Sequence, residues 1–180
     1  HTLALGVTVN HVTGLEVVLH DGRITQLGGK AGSAAGYDLT GFFVGSEGTL
    51  GIATAITVKI TRLPEAVATL LAIYNDVQDA ATTVVALTSE GITPAAVEML
   101  DGWALRAVEA AVHAGYPLDS AAVLLIELEG LREVVDEQAE IVSQLCRRSG
   151  AREVKRARDD HERQLLWKGR KTAFGAIGRI

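Results

Sequence analysis

The sequence contains a single cysteine, no long hydrophobic run and no excess of basic residues. Cys146 cannot form a disulfide within the chain, which fits a reducing compartment. No apolar stretch reaches the roughly 20 residues that cross a bilayer, and the first residues lack the basic-then-apolar layout of a secretory signal. With 17 basic and 22 acidic residues, the net charge is −5, so we do not expect nucleic-acid binding. These absences favour a cytoplasmic protein that does not span a membrane.

The composition divides the chain near residue 64. Most glycines and the β-branched runs precede this point, and helical periodicity dominates after it. In the first part, residues 15–27 are predicted to form a β-hairpin, because Asp21-Gly22 suits a tight two-residue loop between apolar runs. A loop over 28–36, a short helix over 37–44 capped by Asp38 and a strand over 55–60 complete this part.

The second part alternates strands and helices. Strands are predicted over 67–74, 95–99, 122–128 and 152–156, the third in the middle of a sheet and the fourth, with its charges, at an edge. Each of the helices after Asp76, Asp101 and Asp159 begins at an aspartate cap, with Glu162 completing a capping box in the last. Gly91, Gly115 and Gly150 are predicted to end the first three helices of this part. This order favours a ferredoxin-like, split βαβ layer over a doubly wound sheet.

The densest motif is GSEGTLGI at residues 45–52, with three glycines at three-residue spacing. Glycine lacks a Cβ, so backbone amides in such a loop can approach an anion or a ring system closely. No Gly-Lys-Ser/Thr follows, which excludes a Walker P-loop, and the strand that follows excludes a dinucleotide-binding fingerprint. On spacing alone, an ordinary turn remains an alternative.

Together with GLEVVLHDG at 14–22 and LWKGRK at 166–171, this motif resembles the FAD-linked oxidases of the vanillyl-alcohol oxidase type. Within that family the strings are similar to the D-lactate-dehydrogenase-like, catalytic subunits of glycolate oxidases. EMLD at 98–101 and HAGYP at 113–117 extend the resemblance to nearly the whole chain.

The resemblance implies an α+β fold in two parts. Residues 1–62 correspond to the closing half of an FAD-binding domain, and residues 66–180 to the opening part of a ferredoxin-like substrate or cap domain. The chain would then be an internal piece of an enzyme whose full-length form binds FAD. We expect the piece alone to lack flavin and activity, and its unpaired strand edges to favour self-association.

The resemblance also implies roles for individual residues. Arg170 would hold a substrate carboxylate, for which a planar guanidinium is well suited, with a solvated helix arginine as the alternative. For Glu47 we favour capping of neighbouring backbone amides, because a carboxylate beside a diphosphate is electrostatically unfavourable. No catalytic residue and no metal ligand is predicted in the chain. The implied cofactor-binding residues are Glu16, Val17, Gly45, Ser46, Glu47, Gly48, Thr49, Gly51 and Ile52.

The implied activity is FAD-dependent oxidation of a small 2-hydroxy acid, glycolate or D-lactate, to the 2-oxo acid. Other subunits of an oxidase complex are the expected partners, and they offer a route to peripheral membrane association. A flavoenzyme with a bulkier substrate is a second reading. The alternative class is a non-catalytic, ferredoxin-like interaction module with a β-rich extension.

Three further features have simpler interpretations. Trp103 and Trp167 are predicted to be core anchors, and Cys146 to pack on a helix face. The histidines stand at no metal-ligand spacing. A basic stripe is predicted to be a solvated edge, with docking of a partner subunit as the alternative; it comprises Arg147, Arg148, Arg152, Lys155, Arg156 and Arg158.

Overall fold

The computed structural model describes residues 2–30 and 36–178, so most of the predicted 28–36 loop lies outside the described residues. The chain forms two compact units. One comprises residues 6–63, and the other comprises residues 64–178 together with residues 2–5. The short helix α1, Thr2–Leu5, belongs to the second unit, where it packs against a strand of the sheet.

The smaller unit is a three-stranded antiparallel sheet with one short α-helix and, at Thr8–His11, a single turn of 3-10 helix. Its strands are β1 (Val12–Val18), β2 (Ile24–Gly28) and β3 (Ile52–Val58), in the order β2-β1-β3. Helix α2, Leu39–Phe43, begins at Asp38, whose Oδ1 accepts the Gly41 amide at 2.8 Å, as predicted. The buried core of this unit is formed by Leu15, Val17 and Phe43.

The predicted hairpin is confirmed, but its loop has three residues rather than two. The Leu19 amide donates to the Arg23 carbonyl at 2.9 Å, which extends the ladder by one pair beyond Val18 and Ile24. Gly22 closes the loop at φ +81°, the left-handed position that three-residue hairpin loops place before the returning strand. Asp21-Gly22 therefore predicted the position of the turn correctly, but the length of its loop incorrectly.

The third strand lies at the edge of this sheet and is exposed on both faces. It runs from Ile52 to Val58, three residues earlier at its start than predicted. Ile52 is 68% exposed and Ile56 58%, although both are large apolar side chains. The strand thus presents an apolar surface beside the glycine-rich loop that precedes it.

The larger unit is a four-stranded antiparallel sheet with the order β5-β6-β4-β7, where β6 is interior and β7 is at an edge. Strands β4 and β5 run parallel with β6 between them, which is the split βαβ arrangement. The predicted α+β, ferredoxin-like fold is confirmed. Its elements are β4 (Ala66–Tyr74), α3 (Val77–Ser89), β5 (Ala96–Asp101), α4 (Gly102–Val112), β6 (Ala122–Gly130), α5 (Arg132–Arg148), β7 (Ala151–Arg156) and α6 (Asp160–Ile177).

Helices cover both faces of this sheet, because alternate strand residues point to opposite sides. Leu70 and Tyr74 face the α3 and α5 side, and Leu71 and Ile73 face the α4 and α6 side. Cys146 on α5 is fully buried in the first of these cores, as predicted, and burial raises the pKa of its thiol. Successive residues of β4 therefore contribute to two separate hydrophobic cores, one on each face of the sheet.

The predicted aspartate caps are present. Oδ1 of Asp101 accepts the Ala104 amide, and Oδ1 of Asp159 accepts the Glu162 amide, each at 2.8 Å. The predicted capping box is incomplete, because the Glu162 carboxylate accepts the amide of Arg158 instead of that of Asp159. This bond, together with the Arg158 guanidinium, lowers the pKa of Glu162.

Two further expectations were wrong. Helix α4 ends at Val112 and is closed by His113, which adopts the left-handed conformation (φ 53°, ψ 55°), rather than by Gly115. Trp103 is 75% exposed and stacks on Arg106, whose Cζ lies 4.5 Å from the ring centroid, so it is not a core anchor. Trp167 is buried, as expected.

The basic stripe is a set of local ion pairs. Arg148 pairs with Glu90, Arg152 with Asp119, and Arg156 with Asp136. These bonds join neighbouring elements of the larger unit and offset the positive charge of the stripe. Exposed pairs of this kind contribute little to stability.

Candidate functional site

The glycine-rich segment at residues 43–49 consists of two consecutive tight turns. In the first, the Ser46 amide donates to the Phe43 carbonyl at 3.1 Å, with Val44 at φ −64°, ψ 124° and Gly45 at φ +88°. These angles define a type II turn, which needs a left-handed third residue. The backbone therefore favours glycine at position 45.

The second turn places two left-handed residues in succession. The Thr49 amide donates to the Ser46 carbonyl at 3.0 Å, with Glu47 at φ +51° and Gly48 at φ +82° between them. A type I′ turn has this pattern, and glutamate is an unusual residue in it. Among the described residues, no backbone carbonyl accepts the amides of Glu47 and Gly48. Both amides are therefore available to an anionic ligand.

Gly51 fixes the return of the loop onto the sheet. Its φ is +145°, and a Cβ at this position would lie 2.5 Å from the Val18 carbonyl oxygen. At Gly45 and Gly48, in contrast, a Cβ would meet nothing within 4 Å. The first two glycines therefore leave open space on the loop, and the third allows close contact between backbones.

A cleft of about 400 Å³ opens beside this loop within the smaller unit. Apolar side chains from the sheet and from α2, including Leu15, Phe43 and Ile56, form one side of it. The structure brings six of the nine predicted cofactor-binding residues to this cleft: Gly45, Ser46, Glu47, Gly48, Gly51 and Ile52.

The other three predicted residues lie differently. The Thr49 hydroxyl donates to the Ser46 carbonyl at 2.7 Å, inside the loop itself. Glu16 and Val17 lie on the central strand β1, where both residues are paired with β2 and β3. The Glu16 carboxylate accepts hydrogen bonds from Gln26 and Thr54, and Val17 is fully buried. Their side chains support the sheet that carries the cleft.

The capping role expected for Glu47 is not found. Among the described residues, none donates a hydrogen bond to its carboxylate, and the residue is exposed. Glu47 is therefore an exposed residue at the cleft.

Arg170 lies in the larger unit, on α6. Its Nη2 donates to Oε2 of Glu98 on β5 at 2.7 Å, and the two side chains are 29% and 28% exposed. Both groups are thus partly withdrawn from water and still accessible. Arg170 is neither a freely solvated helix arginine nor an unpaired cation.

Close packing of α6 against α4 and the segment that follows it fixes the backbone beside Arg170. A Cβ on Gly169 would lie 2.7 Å from Cε2 of Tyr116 and 2.8 Å from Cβ of Ala114. The Tyr116 hydroxyl donates to the Leu166 carbonyl at 2.6 Å, and burial raises the pKa of this phenol. The glycine in LWKGRK is therefore needed for packing.

A buried carboxylate that sequence reasoning missed anchors the same helix. Glu127 on β6 is 4% exposed, and its Oε2 accepts the Thr69 hydroxyl at 2.8 Å and the Trp167 indole N–H. Arg163 lies 3.6 Å from this oxygen. Desolvation, and then the charge of Glu127, raise the pKa of nearby Glu129. The available signal was a glutamate within the apolar run at 122–128.

Two absences concern the described part of the chain. Within residues 2–30 and 36–178, no three His, Cys, Asp or Glu side chains are grouped to hold a metal ion. Across the same ranges, no helix combines the length and the apolar character needed to cross a bilayer.

The larger unit belongs to a known class of flavin-linked domain. Residues 63–180 match the family model of the FAD linked oxidases, C-terminal domain, and the chain belongs to this family.

Curated relatives extend the similarity to the whole chain. It is 42% identical over 180 residues to the glycolate oxidase subunit GlcD of Escherichia coli, covering 100% of this chain and 36% of the relative. The GlcD of Bacillus subtilis is 43% identical over 99% of the chain, which spans 38% of that relative. A probable mitochondrial D-lactate dehydrogenase of Danio rerio is 34% identical over 95% of the chain, or 35% of its own length. The chain thus spans about a third of the length of these relatives.

Solved structures share the fold at low identity. A p-cresol methylhydroxylase with bound substrate superposes with a TM-score of 0.65 at 21% identity, covering 87% of this chain and 38% of that one. A 4-ethylphenol oxidase from Gulosibacter chungangensis gives 0.66 at 17% identity, over 91% of this chain and 38% of that one. These superpositions show that the chain shares its fold with both enzymes.

Proposed function

We propose that this chain supplies part of the flavin site and a substrate-binding arginine to an enzyme that oxidises a small 2-hydroxy acid. Residues 1–62 would close the FAD-binding domain, and residues 66–180 would begin the substrate or cap domain. Glycolate and D-lactate are the substrates we favour, because the relatives reported above are glycolate oxidase subunits and a probable D-lactate dehydrogenase.

The observation that carries the proposal is the cleft beside residues 45–52. FAD combines a flat ring system with an anionic diphosphate, so it needs both apolar surface and amide donors. Leu15, Phe43 and Ile52 supply the apolar surface, and the amides of Glu47 and Gly48 supply donors at open backbone. The absence of a Cβ at Gly45 and Gly48 lets a ligand approach that backbone. These residues fit the cofactor, with the uncapped Glu47 carboxylate as the one group at the cleft that a diphosphate would disfavour.

A bound flavin would supply the hydride acceptor for oxidation of the hydroxyl-bearing carbon of the substrate. The contribution of the larger unit is a cation. A guanidinium has five N–H donors, and the bond with Glu98 uses Nη2, which leaves donors for a second carboxylate. Arg170 would bind the substrate carboxylate through these donors and fix the orientation of the neighbouring hydroxyl-bearing carbon.

The GlcD relatives are subunits of glycolate oxidases, which supports partner subunits for the full-length protein. We propose such partners as the means by which it reaches its electron acceptor. The basic stripe is a weak candidate for their docking, because most of its arginines already pair with carboxylates of this chain.

The test is the visible spectrum of the full-length protein that contains this chain. We expect a yellow protein whose flavin absorbance near 450 nm is bleached by anaerobic addition of glycolate or D-lactate. A colourless protein would support the non-catalytic interaction module. A yellow protein that is reduced by bulkier alcohols and by no 2-hydroxy acid would support a flavoenzyme with a bulkier substrate.

A further inference from the structure

We propose that Glu98 is the positioning residue for Arg170, holding the guanidinium in the orientation that meets the substrate carboxylate. The inference rests on the proposed function and deepens it. Nothing in the motif LWKGRK indicates a partner for the arginine, because Glu98 precedes Arg170 by 72 residues.

The sheet determines where Glu98 can reach. Glu98 pairs with Leu125 of the central strand β6, so the two side chains share a face of the sheet. Leu125 is packed in the core under α4 and α6, which places Glu98 on the α6 side. The Glu98 carboxylate is therefore held by a strand of the sheet. The Arg170 guanidinium stands at the end of a longer side chain, so it is the group that needs to be oriented.

The geometry suits positioning rather than simple charge neutralisation. The contact is a single hydrogen bond of 2.7 Å from Nη2, so the other guanidinium edge is not used by Glu98. Both side chains are just under one third exposed, and a solvent-accessible arginine without this bond would sample several rotamers. A substrate anion would then have to order the side chain as it binds, which weakens binding.

Other contacts hold the helix independently of Glu98. One turn before Arg170, Trp167 is bonded to the buried Glu127, and Gly169 is packed against Tyr116. Loss of the Glu98 carboxylate should therefore free the guanidinium without displacing α6. This separation makes the role of Glu98 testable in a folded protein.

The experiment uses the full-length flavoprotein with Glu98→Ala, Glu98→Gln, Arg170→Ala and the double variant Glu98→Ala/Arg170→Ala. The readouts are flavin content, and KM and kcat for glycolate and D-lactate. Asp136→Ala is the matched control, because it breaks another arginine pair of the same unit, with Arg156. We expect Glu98→Ala to raise KM about 10-fold or more with kcat changed less than about 3-fold. The amide of Glu98→Gln, which still accepts a hydrogen bond, should restore part of the loss.

The double variant separates positioning from a structural role. If Glu98 acts through Arg170, the double variant should be no worse than Arg170→Ala alone, because the coupled losses do not add. Additive losses in the double variant, a loss of flavin from Glu98→Ala, or an unchanged KM in Glu98→Ala would each overturn the inference. The proposed function would still stand in these cases if Arg170→Ala were defective. A tighter KM in Glu98→Ala would also overturn it, since Glu98 would then be a competitor of the substrate. An Arg170→Ala enzyme with normal kinetics would overturn both.

Discussion

Gly51 and Val18 approach so closely that no side chain fits between them: a Cβ on Gly51 would lie 2.5 Å from the Val18 carbonyl oxygen. Gly51→Ala should therefore destabilise the smaller unit by about 2–4 kcal/mol, through the clash and the strain of φ +145°. The measurement is urea unfolding of the chain followed by far-UV circular dichroism.

Gly45→Ala is the matched control for that experiment. Its φ is also positive, but a Cβ there would meet nothing within 4 Å, so we expect a cost of only about 1–2 kcal/mol. Both tryptophans, Trp103 and Trp167, belong to the larger unit, so fluorescence gives an internal reference. Equal losses in the two variants would mean that the contact of Gly51 with Val18 does not limit the loop.

A second glycine pair tests the packing beside Arg170. Gly169→Ala should lower the stability of the larger unit by about 1–3 kcal/mol, because its Cβ would overlap Tyr116 and Ala114. Gly175 lies on the same helix with open space around it, so Gly175→Ala should stabilise the unit by about 0.5–1 kcal/mol through helix propensity. Fluorescence-detected unfolding measures both, and stabilisation by Gly169→Ala would show that α6 does not pack as described.

Glu127 is expected to be a structural anchor whose loss is visible in the emission of Trp167. Glu127→Ala leaves the Thr69 hydroxyl and the Trp167 indole N–H without this acceptor, at a cost of about 2–4 kcal/mol. Glu127→Gln retains an acceptor oxygen and nearly the same volume, so its cost should be less than half of this. The same loss for both variants would instead assign the effect to the negative charge and its approach to Arg163.

Stability should fall in alkali because of two buried phenols. Burial raises the pKa of Tyr74 and of Tyr116 above the ordinary value of 10.0. The unfolded chain then releases protons that the folded chain retains, so this stability is complete below about pH 10 and is lost as the pH rises further.

The slope should be about 1.4 kcal/mol per pH unit for each phenol. Tyr74→Phe removes one of them and should reduce the slope accordingly, although the lost bond to Thr83 lowers stability at neutral pH. Urea midpoints measured between pH 8 and 11 give the comparison. Parallel curves for the two proteins would indicate that Tyr74 ionises as easily in the folded chain as in the unfolded one.

Local rules predicted the elements of the larger unit well, because α3, α4 and α6 begin at aspartates and β4 and β6 are apolar runs. Local rules failed where two signals competed. His113 takes the left-handed position ahead of Gly115, and the Glu162 carboxylate reaches Arg158 instead of the cap residue. Trp103 was misassigned because residue type alone does not show on which side of a helix a side chain lies.

The candidate site was predictable to the extent that it is local. The loop at 45–52 carries its own turn signals in its glycines, and the structure places it at a cleft. The partners of Arg170 and Trp167 were not predictable, because Glu98 and Glu127 come from distant strands that only the sheet register brings under α6.

The most direct test of the proposed function is the kinetics of Arg170→Ala in the full-length flavoprotein, with Arg170→Lys and the exposed Arg158→Ala as comparisons. A buried anion that loses its cation is destabilised by about 2–5 kcal/mol, so kcat/KM for glycolate or D-lactate should fall roughly 30-fold to several thousand-fold. Lysine should restore only part of the loss, since it cannot form the planar fork. Flavin content should be unchanged, and Arg158→Ala should match the parent protein. Near-normal kcat/KM of Arg170→Ala on every 2-hydroxy acid tested would contradict the role of Arg170.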